Sequence, residues 1–438
     1  MSSNHREGPM NIEKCVLMIA YHYPPARGSS GSLRTLNFTK HLPKHDWNPI
    51  VLTVHPRAYP DVGTDLLQDI PAGMIVHRAF SLDASRHLSV KGRYLGWTAL
   101  PDRWTTWLAG GVPAGLRLIR KYRPKVIWST YPIATSLWIG YLLHRLTGVP
   151  WVADLRDPLT EVDPRTGEQH PPDRKLRWAR KAIERRAVEH SARTVLVTPG
   201  AKRIYAERYA QMPENHWAVI PNGYEEEIFA VVERQTQRQP LNGRRIHLLH
   251  SGWLYPTPDR DPSAFLRALA SLRDAGKISS QQLTVTLRAS GSESHYLRQI
   301  SQHGLDQIVR LEPAIPYREA LKEMLGADGL LVFQGYTSNP AVPAKLYEYL
   351  RARRPILAMV DSEGDTAATL RSAGVGTIVP LESSEEIASS LEIFLKQIRQ
   401  GSATVADENV VRGLARESRA VELAALFDQI VTEQDRKR

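Results

Sequence analysis

One cysteine, Cys15, stands among 438 residues. No disulfide can form within the chain, so a disulfide-built secreted scaffold, a multi-cysteine zinc ribbon and an iron–sulfur centre are all excluded. The lone thiol fits a reducing compartment. Long apolar runs are lacking too. None reaches the ~18 residues of a membrane-spanning helix, and the best stretch, from Leu137 to Leu143, soon meets His144 and Arg145. The opening residues, Met1 to Gly8, set no apolar stretch behind a basic start and do not read as a signal peptide. Neither Gly-x-Gly-x-x-Gly nor a Gly-Lys-Ser/Thr phosphate loop occurs after the first strand, which weakens dehydrogenase and nucleoside-triphosphatase readings. Short-period repeats and extended low-complexity segments are missing as well.

What is present is ordinary for a folded protein: 42% hydrophobic and 24% charged residues. The length suggests two to three domains. Lys and Arg number 57 against 46 Asp and Glu, a balance of +11. That excess points to an anionic partner: a nucleotide, a lipid phosphate, a membrane surface or nucleic acid. Charge alone does not choose among them.

Short apolar runs alternate with longer amphipathic stretches. Strands are expected at Cys15–Tyr21, Pro49–Val54, Met74–His77, Val126–Ser129, Trp151–Asp154, Thr194–Thr198 and Trp217–Ile220. Helical patterns between them include Ser32–Leu42, Val112–Tyr122, Ile133–Leu146 and Arg174–His190. Such alternation implies parallel βαβ units in a doubly wound sheet. The polar stretch from Glu225 to Arg245 reads as a linker. After it the alternation restarts at Ile246–His250, Leu283–Ala289, Ile308–Leu311, Gly329–Phe333, Ile356–Val360 and Thr377–Val379. A last helical pattern runs from Val410 to Glu433. The expected organisation is an N-terminal domain over 1–225, a linker over 226–245, a C-terminal domain over 246–405, and a helical segment over 406–438 returning to the first domain.

Ligands in such sheets bind beyond the carboxyl ends of strands, so the loops there carry the candidates. The first strand runs into Arg27-Gly28-Ser29-Ser30-Gly31-Ser32-Leu33-Arg34. A Gly/Ser-rich loop opening a helix can bring backbone N–H groups to a phosphate, with Arg27 and Arg34 flanking it; a flexible βα turn is the plainer reading. Asp154-Leu155-Arg156-Asp157 ends another strand, where two carboxylates around an arginine are costly unless paired or used. Asn222-Gly223 reads as a tight turn tolerant of positive φ. In the second half, Asp259-Arg260-Asp261 offers either an Asp-x-Asp metal pair or, preferred here, an arginine facing a diphosphate, with Asp261-Pro262 opening a helix. A helix starting near Pro343 or Ala344 puts Lys345 in its first turn, where a cation makes sense if an anion is bound there. Glu348 lies one turn on: phosphate plus ribose is one reading of the two, a surface ion pair the other.

Arg174 to Arg186 contains seven Lys/Arg. It is either an amphipathic surface helix or a face toward anionic lipid, with Glu184 and Glu189 interspersed. Seven of the ten tryptophans fall between Trp97 and Trp178. Most suit a core; Trp97, Trp104 and Trp107 could line an acceptor groove or touch a membrane interface.

In this order the motifs resemble retaining glycosyltransferases of the GT-B architecture, most closely glycosyltransferase family 4 and its bacterial surface-polysaccharide enzymes. The likeness runs from Tyr21-His22-Tyr23-Pro24-Pro25 to the final helix. It rests on Trp151 through Pro158, Ile220-Pro221-Asn222-Gly223-Tyr224, and Pro343 through Leu350 followed by Arg354-Pro355-Ile356-Leu357. It implies an α/β fold of two doubly wound, Rossmann-like domains facing across a cleft. It implies that Gly28, Ser30, Gly31, Arg34, Asn222 and Gly252 line the donor site, that Arg260 and Lys345 hold its diphosphate, and that Glu348 binds the ribose. Arg156 and Asp157 would stand by the transferred sugar, with Asp157 as the carboxylate for the cationic anomeric centre. The family's Glu-x7-Glu pattern puts its first carboxylate at position 340, which here is Pro340, leaving that contact missing or to Asn339 or Ser338. The usual histidine is replaced by the Arg156-Asp157 pair.

The expected activity is transfer of a sugar from a nucleoside-diphosphate sugar to a glycan or lipid-linked acceptor, with retention, in surface-polysaccharide synthesis. No cofactor and no metal are expected. An anionic membrane surface is a further expected partner, and placement is cytoplasmic, peripheral at the inner face of the membrane. Competing readings are a nucleotide-sugar epimerase on the same fold and a scaffolding protein without turnover. Nucleic acid is not an expected partner, because Glu residues interrupt the basic runs.

Overall fold

The computed structural model describes residues 14–26, 30–64, 66–163, 165–236, 241 and 243–437. The chain divides into two compact units. The first takes the chain to Leu196, then Ile204–Ile220 and Arg419–Arg438; the second takes Val197–Arg203 and Pro221–Ser418.

In the first unit the strands are β1 (Cys15–Ile19), β2 (Asn48–Val54), β3 (Ile75–Ala79), β4 (Val126–Thr130), β5 (Trp151–Arg156), a small antiparallel pair β6 (Glu161–Val162) and β7 (Gln169–His170), then β8 (Arg193–Leu196) and β9 (Trp217–Val219). Seven of them form one parallel sheet in the order β3-β2-β1-β4-β5-β8-β9. Chain order reverses between β1 and β4, the switch point of a doubly wound fold. The central strands are unbroken apolar runs because helices cover both faces; β1, Cys-Val-Leu-Met-Ile, is buried throughout.

Strands of the second unit are β10 (Ile246–Ser251), β11 (Leu283–Arg288), β12 (Val309–Glu312), β13 (Gly329–Gln334), β14 (Ile356–Val360) and β15 (Ile378–Val379). Their parallel sheet runs β12-β11-β10-β13-β14-β15, with its switch point between β10 and β13. The expected doubly wound architecture is thus present twice.

Three expectations need correction. The stretch 226–245 is not all linker: Glu226–Gln235 is a helix that buries Ile228, Phe229 and Val232. The last helical pattern is two helices, Glu408–Arg412 and Arg416–Lys437, parted near Gly413. Asn222 and Gly223 are not a positive-φ turn. Instead the Gly223 carbonyl accepts a 2.8 Å bond from Arg416 Nε, and a side chain there would strike the Leu414 carbonyl.

Chain ends complete the first unit's core. Ala420, Leu423, Phe427 and Ile430 pack among Val16, Met18, Trp128 and Val195. Trp47 stacks edge-on against Phe427 and donates its indole N–H to Asp428 at 3.2 Å. Among the described residues, no helix is long and apolar enough to cross a membrane.

A buried histidine contributes to acid sensitivity in the first unit. His216 lies 2.8 Å from Thr194 Oγ1. Burial, helped by the Arg193 charge, holds its pKa down to about 4. The unfolded chain therefore binds the extra proton between about pH 6.5 and 4, and stability falls as pH drops through that window. The loss is about 3 kcal/mol. His216→Gln should flatten that part of the pH–stability curve in urea titrations.

Candidate functional site

The second unit gathers its candidates at the β10/β13 switch point. His250, on β10, is fully buried. Its Nδ1 lies 2.9 Å from the Leu331 carbonyl of β13, so Nδ1 carries the proton. Nε2 is then the acceptor, and Lys345 Nζ donates to it at 2.9 Å. Lys345 sits in the first turn of the helix Ala344–Ala352. Its ammonium is held well below its ordinary pKa by burial, then by the Arg260 charge, with Glu348 opposing. His250 is held neutral by burial and by Lys345.

Close backbone packing makes this cluster possible. Gly252 has φ +125°, and a Cβ there would come within 3.1 Å of Lys345 Nζ. Gly335, just past β13, accepts the 256–262 loop against its bare Cα: a Cβ would lie 1.8 Å from the Pro258 carbonyl. The Gly335 N–H donates to the Asp259 carbonyl at 2.5 Å. Arg260 is so brought within electrostatic reach of Lys345 and His250. It stacks near the Tyr255 ring and pairs with Asp259 at 3.3 Å.

Glu348 is buried, not part of a surface pair. Its Oε1 accepts from Tyr317 Oη at 2.8 Å. Burial raises its pKa, against the pull of Arg416, Tyr317 and Lys345. The Asp-x-Asp reading fares differently. Asp259 faces Arg260 and Thr337, and Asp261 is engaged in a local turn before the next helix, accepting from Ser263 N and Oγ at 3.1 and 2.7 Å. Among the described residues no cluster of three or more His, Cys, Asp or Glu is placed to hold a metal. Of the two substitutes for the absent first carboxylate, Asn339 gives its amide to Asp361 at 2.8 Å.

In the first unit, Arg34 is committed elsewhere than to the glycine loop. Its Nε and Nη2 donate to the two oxygens of Asp154 at 2.9 and 2.8 Å, and Nη2 also reaches the Ile220 carbonyl at 3.1 Å. Thr130 Oγ1 donates to the same carboxylate at 2.7 Å. Asp154 thus pairs with Arg34 across the sheet rather than within its own motif. Strand β5 then bulges between Asp154 and Arg156. Arg156 takes φ +62°, a strained conformation for an arginine that re-aims its side chain. It is buried and donates to the Tyr131 carbonyl at 3.4 Å. Burial raises the Asp157 carboxyl and lowers the Arg156 guanidinium, each resisted by the other's charge.

Gly28, with Arg27 and Ser29, lies outside the described residues. Ser30 opens the helix Ser30–His41, with Gly31 buried in its first turn. Asn222 lies with the second unit beside Tyr224, which bridges to Ala415. Two residues gain importance only in the structure. His250 orients Lys345, and its place at the end of a strand was the available signal. His22, just past β1, is held neutral with a pKa of about 4 by burial and then by Arg156; it joins the Arg156–Asp157 group.

Residues 31–223 match the glycosyl transferase 4-like domain family. That stretch is similar to a glycosyl transferase 4-like domain. Solved structures share the fold of this chain along its length. Sucrose-phosphate synthase from Thermosynechococcus elongatus has 15% identity, covers 96% of this chain and 100% of its own, and gives a TM-score of 0.65. WaaG, a glycosyltransferase involved in lipopolysaccharide biosynthesis, has 14% identity, covers 94% and 99%, and gives 0.60. HepE from Anabaena, solved in complex with UDP, has 14% identity, covers 97% and 99%, and gives 0.59. At these identities the likeness establishes the fold, the α/β GT-B architecture. No curated protein sequence matches this chain.

Proposed function

We propose that this glycosyltransferase moves a sugar, with retention, from a nucleoside-diphosphate sugar to a glycan or lipid-linked saccharide of a surface polysaccharide. One observation carries the donor reading: a half-buried lysine, Lys345, in the first turn of a helix, with the Arg260 charge acting on it and, among the described residues, no carboxylate bonded to it. Asp259 partners Arg260, but a lysine in the first turn of a helix at a switch point is costly without an anion of its own to face. A diphosphate supplies it. Glu348, one turn along, is left to hold two ribose hydroxyls. The solved HepE–UDP complex, on the same fold, supports uridine diphosphate as the first base to test.

Charge sets the chemistry. Breaking the sugar–diphosphate bond builds negative charge on the leaving group, which Arg260, Lys345 and the helix N-terminus stabilise. Positive charge develops at the anomeric carbon. We assign Asp157 to that charge and Arg156 to holding Asp157 and the sugar. Asp259 and Asp261 are engaged by Arg260 and Ser263, so the departure is assigned to these cations without a metal. A lipid-linked acceptor suits the basic balance, an anionic membrane surface being the second partner, with work at the cytoplasmic face of the membrane.

The test is thermal unfolding against UDP, GDP, ADP, dTDP, CMP and NAD. A ligand at 100 times its Kd adds about 2.7 kcal/mol, readily seen as a rise in Tm. One nucleoside diphosphate should raise Tm well above the rest. If none does, the donor reading fails. Incubating the matching nucleotide sugar without acceptor then separates the alternatives: a free epimer as the main product would identify an epimerase instead.

A further inference from the structure

The first unit displays apolar and cationic side chains together at two places. One is a tight turn. Val90 and Arg93 exchange backbone hydrogen bonds at 2.8 and 3.0 Å around Lys91 and Gly92, both left-handed. Such a two-residue turn makes a stiff tip. On it and just after it, Val90 is 75% exposed, Leu95 64% and Trp97 71%, with Tyr94 between. Residues 84–101 hold Arg86, Lys91 and Arg93 and no carboxylate.

The second place is the helix Arg174–His190. Trp178 is 72% exposed there. Arg174, Trp178, Lys181 and Arg185 recur at helical spacing on one exposed face, with Lys175 and Arg186 beside them. The glutamates that interrupt this run in sequence do not neutralise the face. Glu184 is buried, bound to Arg208 at 2.6 Å and to Tyr209 and Tyr205. Glu189 pairs with Arg185 at 2.8 Å. The helix and the turn are tied to one neighbour: Asp102, five residues beyond Trp97, accepts from Thr135 N and Oγ1 at 2.7 and 2.8 Å in the helix Ala134–Thr147, whose Tyr141 ring lies 5.3 Å from that of His190.

We propose that the Val90–Trp97 turn and the Trp178 face of this helix form a docking surface for an anionic bilayer. Exposed tryptophan and tyrosine favour the headgroup level, aliphatic tips enter below it, and lysine and arginine meet lipid phosphates. Val90 and Leu95 offer no ring for a nucleobase to stack on. A second copy of the chain would bring like charges together. The surface deepens the lipid-linked acceptor reading by naming what holds the enzyme to the membrane, but vesicle binding needs no substrate and is read separately.

The full chain is sedimented with vesicles of phosphatidylcholine alone and with phosphatidylglycerol added. Binding should require the anionic lipid, weaken with salt, and shift tryptophan emission to the blue. Leu95→Ser/Trp97→Ser should cut binding about tenfold. Lys181→Glu/Arg185→Glu should cut it about fivefold per charge. Both variants should keep the nucleotide-induced rise in Tm, which shows that they fold and that the donor site is untouched. Equal binding to neutral vesicles, unchanged binding of both variants, or binding to single-stranded DNA with none to vesicles would each overturn the proposal. Loss of the nucleotide response in the wild type, with vesicle binding intact, would sink the transferase reading and leave the surface standing.

Discussion

Lys345→Met should weaken nucleoside-diphosphate binding about 10- to 150-fold while leaving Tm nearly unchanged. The first number is the worth of one charge-assisted hydrogen bond, about 1.5–3 kcal/mol. The second follows from the ground state. Lys345 is half-buried, donates to a neutral His250, and its ammonium form is disfavoured by burial and by Arg260. Removing the charge relieves that repulsion and offsets the bond His250 loses. A residue needed only for folding would move Tm with affinity; a donor-site cation moves affinity alone. Protonation adds a second readout. The free site disfavours the ammonium, whereas a bound diphosphate favours it. Binding should therefore take up a proton and weaken as pH rises, seen as a buffer-dependent enthalpy in titration calorimetry. The Met variant should show neither effect.

Asp154→Ala should destabilise the first unit by about 3–5 kcal/mol, the cost of leaving a buried charge unpaired. Arg34 loses two bonds below 3 Å, and Thr130 loses its acceptor. Arg34→Leu/Asp154→Leu should recover most of the loss, since the pair is costly to bury and removing both ions is far cheaper than removing one. Two units need not unfold together, so the probe matters. Nine of the ten tryptophans lie in the first unit, Trp253 being the exception. Tryptophan fluorescence in urea therefore follows the unit that holds the pair. A double variant as unstable as the single one would show that the pair does more than satisfy itself.

Where burial is two-sided, the sequence alone was enough to read the fold. Cys15–Ile19 and Ile356–Val360 are unbroken apolar runs because both faces of each strand are covered. Reading failed where charge had a distant purpose. Glu226 and Glu233 made residues 226–245 look like linker, yet both pair with Arg351 at 2.7 and 2.9 Å on the rim of a buried helix. The final helix breaks where Tyr224 and Gly223 bond to Leu414–Arg416, contacts made almost 200 residues apart, as with Arg416 and Gly223 at 193.

The candidate site divides the same way. Lys345 and Glu348 were readable because they share one helical turn. His250 was not, standing 95 residues from the lysine it orients. Arg34 looked like a phosphate ligand because its loop is rich in glycine; its partner Asp154 is 120 residues away. Gly335 carried no local signal, because what demands a glycine is the Pro258 carbonyl arriving from another loop.

The last helix has a consequence for how the protein is made. Its apolar side chains fill the first unit's core, so that core stays unfinished until the ribosome has passed Ile430. At 5–20 residues per second, the stretch from Ile220 to Ile430 takes roughly 10–40 s to synthesise. Throughout that interval the nascent sheet must wait with Trp47 and Trp128 short of neighbours, and it is there that chaperones would find their longest opportunity.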